Sequence, residues 1–354
     1  MHCAVIIGRE GATVRAAVLR GGRLVVDNVD EPTPGEGEVL VAVKACGICG
    51  SDLHFIDHGA DFLRLTSEAY GGVTPTVDLS RDVRMGHEFS AEVIDCGPRT
   101  HGPKPGTIVT SMPILMRGGN RISLSFSNSE AAAYGERMVL SNDVLVCAPS
   151  GCDADAIALT EPLAVGLHAV NKSGIARGTT ALVAGCGPVG LTIIACLKAQ
   201  GIGPVIASDY SATRRATATA MGADLVVDPS ADDLFAAWRR EGGRQPVVMF
   251  EAVGVPGLIN TAMREMPREG KIVVVGLCMQ TDHFEPTYGV VKELTLQFVV
   301  TYSPQEFHDA MHLIADGTVD VAPMITGRVG LDDITTAFSD LSKPGVHTKI
   351  LVKP

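Results

Sequence analysis

Residues Gly185-Cys186-Gly187-Pro188-Val189-Gly190 form a G-x-G-x-x-G turn between an aliphatic run, Thr180–Ala184, and a helical stretch, Pro188–Gln200. The motif alone is weak, because glycine-rich turns are common. Between a strand and a helix it predicts a phosphate-binding loop. The first glycine allows the tight turn, the second lets the backbone approach a pyrophosphate, and the third lets the helix pack close to the strand. The helix N-terminus presents free N–H groups and the positive end of its dipole. Pro188 suits the first helical turn, where a missing N–H costs little. The next strand, Val205–Ser208, ends at Asp209, 19 residues past Gly190. A carboxylate there chelates the adenosine ribose and repels a 2′-phosphate, so NAD is favoured over NADP. Arg214 and Arg215 follow, and either could soften that preference. The alternative for Asp209 is a cap on the helix that begins after Ser211. A methyltransferase using S-adenosylmethionine would also carry such a turn, but nothing before residue 160 suits that chemistry.

The rest of the chain divides around this motif. From Thr180 onward short Val/Ile/Leu runs alternate with helical stretches, as in a parallel sheet covered on both faces. Before residue 160 the pattern is mainly β. Val14–Val18 and Leu24–Asp27 flank Arg20-Gly21-Gly22-Arg23, a hairpin signal. Phe89–Ile94 and Thr107–Thr110 are further strands. Residues 304–354 hold one helix, Phe307–Asp316, and a terminal strand, Lys349–Val352, and read as a return to the first domain.

Charge and cysteine content narrow the class. The 354 residues carry 29 Lys+Arg and 40 Asp+Glu, a net charge of −11. An acidic chain repels phosphate backbones, so no nucleic-acid partner is expected. No uncharged apolar run reaches the ~18 residues of a membrane helix, so no membrane partner is expected. The start, Met1–Glu10, lacks the basic n-region and long apolar run of a signal peptide. Nine irregularly spread cysteines read as reduced thiols, and a cytoplasmic location is expected.

Cys46-Gly47-Ile48-Cys49-Gly50-Ser51-Asp52-Leu53-His54 is the other dense motif. Gly86-His87-Glu88 and Glu161-Pro162-Leu163 follow it. Cys, His and Glu are all zinc ligands, and a catalytic zinc keeps one position open. Cys46-x-x-Cys49 alone could be half of a structural zinc site or a redox pair. No second C-x-x-C is present, which argues against a four-cysteine knuckle.

With Cys-Gly-Ile-Cys-Gly-Ser-Asp-x-His, Gly-His-Glu, Glu-Pro-Leu-Ala-Val and Gly-Cys-Gly-Pro-Val-Gly in that order, the sequence resembles the zinc-dependent medium-chain dehydrogenases. The sorbitol/threonine/butanediol dehydrogenase branch is the most similar. The resemblance spans about residues 14–354. It implies an α/β chain: a GroES-like, β-rich catalytic domain (1–162 and 299–354) and a Rossmann domain with a doubly wound parallel sheet (163–298), the active site lying between them. It also implies Cys49 as thiolate ligand, His87 as imidazole ligand, and Glu161 as third ligand or as a carboxylate near the metal-bound water. Glu88 lies beside the zinc as an alternating or direct ligand. Cys46 matches a non-ligand position and reads as a small buried hydrophobe. Asp52 is implied to orient His87, Ser51 to meet the substrate oxygen, and His54 to end a proton relay. Val253-Gly254 and Val275-Gly276 are implied to line the NAD cleft, with plain sheet-end turns as the alternative.

Two departures stand out. Members with a structural zinc carry four closely spaced cysteines after Gly-His-Glu. Only Cys96, Cys147 and Cys152 fall between residues 89 and 160, so one zinc per chain is expected. Cys49 and His87 are 38 residues apart, longer than usual, and the extra residues within Phe55–Arg84 would border the substrate pocket. The start before Val14 reads as an extension. His308 and His312, at i and i+4, lack a third ligand, and no metal site is expected there; His58, His101, His168, His283 and His347 lack a chemical context and read as surface or packing residues.

The expected activity is reversible oxidation of an alcohol, more readily a secondary alcohol or polyol, with hydride transfer to NAD. The partners expected are a small-molecule substrate and further copies of the chain, as a homodimer or homotetramer. The alternatives are a zinc-free quinone-reductase-like enzyme and a non-catalytic dinucleotide-binding protein.

Overall fold

The computed structural model describes residues 11–72, 77–243, 246–343 and 345–354. The readings of Met1–Glu10 as leaderless and as an extension therefore fall largely outside the described residues. The chain forms two compact units. One is built from residues up to Glu161 with Gly327–Lys343 and Lys349–Pro354; the other from Pro162–Thr326 with the short stretch ending at Thr348.

The first unit is β-rich. A four-stranded sheet has the order Arg23–Asp30, Thr13–Arg20, Val83–Met85, Phe126–Ser127. Arg20 pairs with Arg23 across Gly21 and Gly22, both at positive φ, as a two-residue hairpin turn demands. In the second sheet the long strand Glu38–Gly47 lies between Glu88–Cys96 on one side and Arg137–Ser141 and Lys349–Lys353 on the other. Val39, Val41, Val43, Phe89, Val93, Met138, Leu140 and Val352 are buried in one shared core.

The dense motif that begins at Cys46 opens a 20-residue helix, Gly50–Ala69. Leu53, Phe55, Ile56, Phe62 and Leu63 recur at helical spacing and pack on the core. His58 interrupts the helix with φ −133° and ψ 22°. Much of the long Cys49–His87 spacing is thus one kinked helix.

The second unit is a six-stranded parallel sheet in the order Leu225–Val227, Val205–Ser208, Thr180–Ala184, Val247–Glu251, Lys271–Val274, Thr295–Phe298. This is the 3-2-1-4-5-6 arrangement of a dinucleotide-binding sheet, with the glycine-rich turn after its first strand. The anticipated boundary at 298/299 lies inside this unit, which continues to Thr326. The reason is the helix Pro304–Ala315, which buries Phe307, Ala310 and Met311. Its Glu306 bonds His168 Nδ1 at 2.8 Å and accepts from Asn171 Nδ2 at 2.9 Å.

Candidate active site

In the first unit the metal-type residues come from three segments. Cys49 caps the Gly50–Ala69 helix, His87 precedes the strand Glu88–Cys96, and Glu161 lies in the first turn of the helix Thr160–Ser173. Gly86 turns the chain into His87 with φ +104°, a region that disfavours side chains. His87 is buried. Its Nε2 lies 3.3 Å from Ser51 Oγ and its Nδ1 lies 3.5 Å from Asp52 Oδ1. The Cys49 sulfur is within hydrogen-bonding reach of the ring. Burial alone would push the imidazole down, but Asp52, then Cys49 and Glu161, outweigh it and hold the imidazole well above its usual range. Asp52 is wholly buried, which pushes its carboxyl up against the pull of His87, the Tyr134 hydroxyl and the Cys49 N–H.

Glu88 sits differently. Both its oxygens receive the Lys349 ammonium, at 2.8 and 2.6 Å, and Lys349 also donates to the Ile48 carbonyl at 2.8 Å. Gly47 makes room, because a Cβ there would lie 2.2 Å from Glu88 Oε2. Cys46 is fully buried with its sulfur 3.6 Å from the Gly47 carbonyl, the environment of a small hydrophobe. His54 lies one turn beyond Ser51; burial, then His58, pushes its imidazole below the usual value. Phe55 stacks on Phe126 at 3.9 Å, Phe62 meets both rings, and Phe126 stands edge-on to His87 at 6.2 Å. The inserted helix thus supplies an aromatic wall beside the imidazole.

Among the described residues no three Cys, His, Asp or Glu side chains are already gathered as a metal cluster. The donor set nevertheless fits zinc. A thiol and an imidazole are within hydrogen-bonding reach, and the Glu161 carboxylate acts on the same ring. The buried His87 Nδ1 and Asp52 Oδ1 have no other partner, and such a contact is what orients a ligating histidine.

In the second unit the ends of the parallel strands converge. Gly185 has φ +92°, and a Cβ on it would lie 2.8 Å from the Val253 side chain. Gly187 is the helix cap, with open space around it, and Pro188 is the first helical residue. Val189 follows in the first turn, and a Cβ on Gly190 would lie 1.9 Å from the Gly185 carbonyl oxygen. The three glycines thus meet the three demands set out above. Asp209 accepts from the Cys186 N–H at 2.9 Å and the Ser211 N–H at 2.8 Å. Ser211, not Asp209, caps the following helix. Arg215 donates to the Asp209 and Tyr210 carbonyls and pairs with Asp228, whereas Arg214 Nε is buried with no hydrogen-bond partner.

Sequence reasoning missed three residues. Glu251 is a buried carboxylate whose Oε1 accepts from Val253 and Gly254, while its carbonyl accepts from Val275 and Gly276. It ties together both loops expected at the cofactor; its signal is an acid ending the apolar run Val247–Phe250. Lys349 was visible as a lysine in an apolar terminal strand. Tyr134, which donates to Asp52 Oδ2 at 2.6 Å, had no local signal beyond being a lone aromatic among alanines.

Comparisons with known proteins bear on the family and the fold. Residues 35–150 match the model of the alcohol dehydrogenase GroES-like domain, and residues 188–316 that of zinc-binding dehydrogenase. The chain is 32% identical to (R,R)-butanediol dehydrogenase of Bacillus subtilis (strain 168), over 93% of this chain and 96% of that one. It is 29% identical to sorbitol dehydrogenase of Homo sapiens, over 94% and 93%. The crystal structure of the Bacillus subtilis 2R,3R-butanediol dehydrogenase superposes with a TM-score of 0.79 at 29% identity, covering 96% of this chain and 99% of that one. A Sinorhizobium meliloti 1021 protein solved bound to NADP superposes with a TM-score of 0.80 at 28% identity, over 97% and 100%. The chain belongs to the zinc-dependent medium-chain alcohol dehydrogenases, oxidoreductases that join a GroES-like domain to a Rossmann domain and use zinc with a nicotinamide cofactor.

Proposed function

We propose that this enzyme reversibly oxidises a secondary alcohol or polyol, prefers NAD to NADP, and carries one zinc per chain. The observation that carries the reading is the two-sided setting of His87, with Ser51 on Nε2, Asp52 on Nδ1 and Cys49 within reach. Cys49, His87 and Glu161 would hold the metal. Glu161 is favoured over Glu88 as third ligand because Lys349 occupies both Glu88 oxygens. When bound, zinc supplies a Lewis acid for the substrate oxygen, and the nicotinamide supplies the hydride acceptor.

The chain's own residues do the rest. Asp52 fixes the imidazole of His87. Ser51 Oγ takes the proton of the substrate hydroxyl. His54, at i+3 on the same helix, would receive the proton that Ser51 passes on. Phe126, braced by Phe55 and Phe62, keeps water off the imidazole edge. In the second unit the glycine-rich turn holds the pyrophosphate and Asp209 the adenosine ribose. The relatives named for butanediol and sorbitol support a substrate bearing a secondary hydroxyl, often beside another.

Self-association is part of the proposal. The edge strand Thr295–Phe298 leaves Phe298 exposed at 60%, with Val290, Val291 and Val300 more exposed still. A bare sheet edge beside apolar side chains suits a second copy of the chain.

The experiment is elemental analysis of the purified protein with steady-state turnover on a panel of secondary alcohols, diols and polyols, using NAD+ and NADP+. One zinc per chain with turnover on secondary hydroxyls is expected. Metal-free protein, two zincs per chain, or turnover of primary alcohols only would overturn it. Light scattering should give a dimer or tetramer.

A further inference from the structure

Tyr134 touches neither Cys49 nor the imidazole of His87, yet it grips the segments that carry His87 and its partner Asp52. Its hydroxyl donates to Asp52 Oδ2 at 2.6 Å. Its backbone N–H donates to the Met85 carbonyl at 3.1 Å, two residues before His87, and the neighbouring Ala133 N–H donates to the Gly86 carbonyl at 3.2 Å. The ring is fully buried and stands edge-on to Phe338 at 5.7 Å. Gly86 admits this approach, because a Cβ there would lie 2.7 Å from the Tyr134 nitrogen.

The division of labour at Asp52 follows. Oδ2 receives two donors, the Tyr134 hydroxyl and the Cys49 N–H at 3.1 Å. Oδ1 receives none and faces His87 Nδ1, which has no other partner. A carboxylate with one oxygen saturated has its other oxygen fixed in direction. We infer that Tyr134 is a positioning residue for the proposed zinc ligand His87: by holding Oδ2 it aims Oδ1 at Nδ1 and so fixes the direction in which the ring presents Nε2. The inference rests on reading Cys49 and His87 as ligands. The competing reading is that the phenol merely needs a buried acceptor.

Tyr134→Phe separates the two, because it keeps the ring, the Phe338 contact and both backbone bonds. Zinc affinity and release rate of the full-length enzyme are measured by competition with a chromogenic chelator. The absorption spectrum of the cobalt-substituted protein is recorded, and stability is followed by urea unfolding. Changing a partner behind a metal ligand costs about 10–100-fold in affinity, and Tyr134 is one bond further out, so a loss of roughly 3–10-fold is expected. The cobalt bands should shift. In an Asp52→Ala background Tyr134→Phe should have no further effect on zinc. Tyr134→Phe that lowers only the urea midpoint, with zinc affinity and cobalt spectrum as in the wild type, overturns the inference, whether or not the double variant folds. A wild-type protein that binds no zinc overturns the proposed function, and this inference with it, so the two failures are distinct.

Discussion

The Lys349 ammonium lies 2.8 and 2.6 Å from the two oxygens of Glu88, and both side chains are completely or almost completely buried. Breaking such a pair on one side leaves an uncompensated buried charge, which costs about 3–5 kcal/mol. Lys349→Met is expected to destabilise the protein by that order in urea unfolding. Lys349→Met with Glu88→Gln should recover part of the loss. A single variant as stable as the wild type would mean that water or another cation compensates Glu88.

The proposed preference for NAD rests on Asp209. Its carboxylate already bonds the Cys186 and Ser211 N–H groups, so its position is fixed. Repulsion of a 2′-phosphate by one nearby charge is worth a few kcal/mol at an effective dielectric of about 20. Asp209→Gly should therefore narrow the NAD+/NADP+ ratio of kcat/KM by at least about tenfold, or reverse it. Wild-type enzyme with the higher kcat/KM for NADP+ would give the deciding role to Arg214, whose buried Nε has no hydrogen-bond partner.

The proposed proton path ends at His54. Burial, then His58, holds its imidazole below the usual value, so it is ready to accept a proton at neutral pH. Loss of a general acid–base group typically costs ~10²–10⁴-fold, and a relay terminus that water can replace sits at the low end. His54→Gln should slow alcohol oxidation more at neutral pH than at high pH, where hydroxide in solution can take the proton, with zinc content unchanged. An unaltered pH–rate profile, with a shift instead in a Glu161 variant that keeps its zinc, would place the path at Glu161.

Acid stability depends on Glu306. Burial alone would push its carboxyl up, but the Ser303 N–H, Asn171, His168 and the Ser303 hydroxyl together hold it at about 2. Its value in an unfolded chain is about 4.3. The stabilisation is therefore complete above about pH 4.3 and is lost as pH falls toward about 2. Allowing for solvent screening, this is about 1–2 kcal/mol. The stability gap between wild type and Glu306→Gln should shrink between pH 5 and pH 3 in urea unfolding, and a constant gap would contradict the assignment.

What the sequence made legible was local. The glycine-rich turn, Asp209 and the alternating runs after Thr180 are set by short-range geometry, and the parallel sheet follows from them. The hairpin at Gly21-Gly22 was readable for the same reason. The helix Gly50–Ala69 was not, because its glycines and cysteine mark a turn and its apolar spacing is broken at His58. That the helix Pro304–Ala315 packs with the second unit was not legible, because Glu306 bonds a helix 135 or more residues earlier. Lys349 meets Glu88 across 261 residues and Tyr134 meets Asp52 across 82. No window of sequence contains such pairs, so the residues behind the proposed metal ligands emerge only in three dimensions.

The kink at His58 divides the long helix into two pieces with separate duties. The first carries Ser51, Asp52 and His54, and is held in register by the Asp52 contacts to Cys49 and Tyr134. The second, beyond Gly59, takes its direction from the bend and rests on the core through Phe62 and Leu63. For protein engineering the useful splice point lies past Leu63 rather than at the bend itself: Phe62 must stay to meet Phe55 and Phe126 beside the imidazole, while the last turns of the outer helix can be exchanged with the first turn left in place.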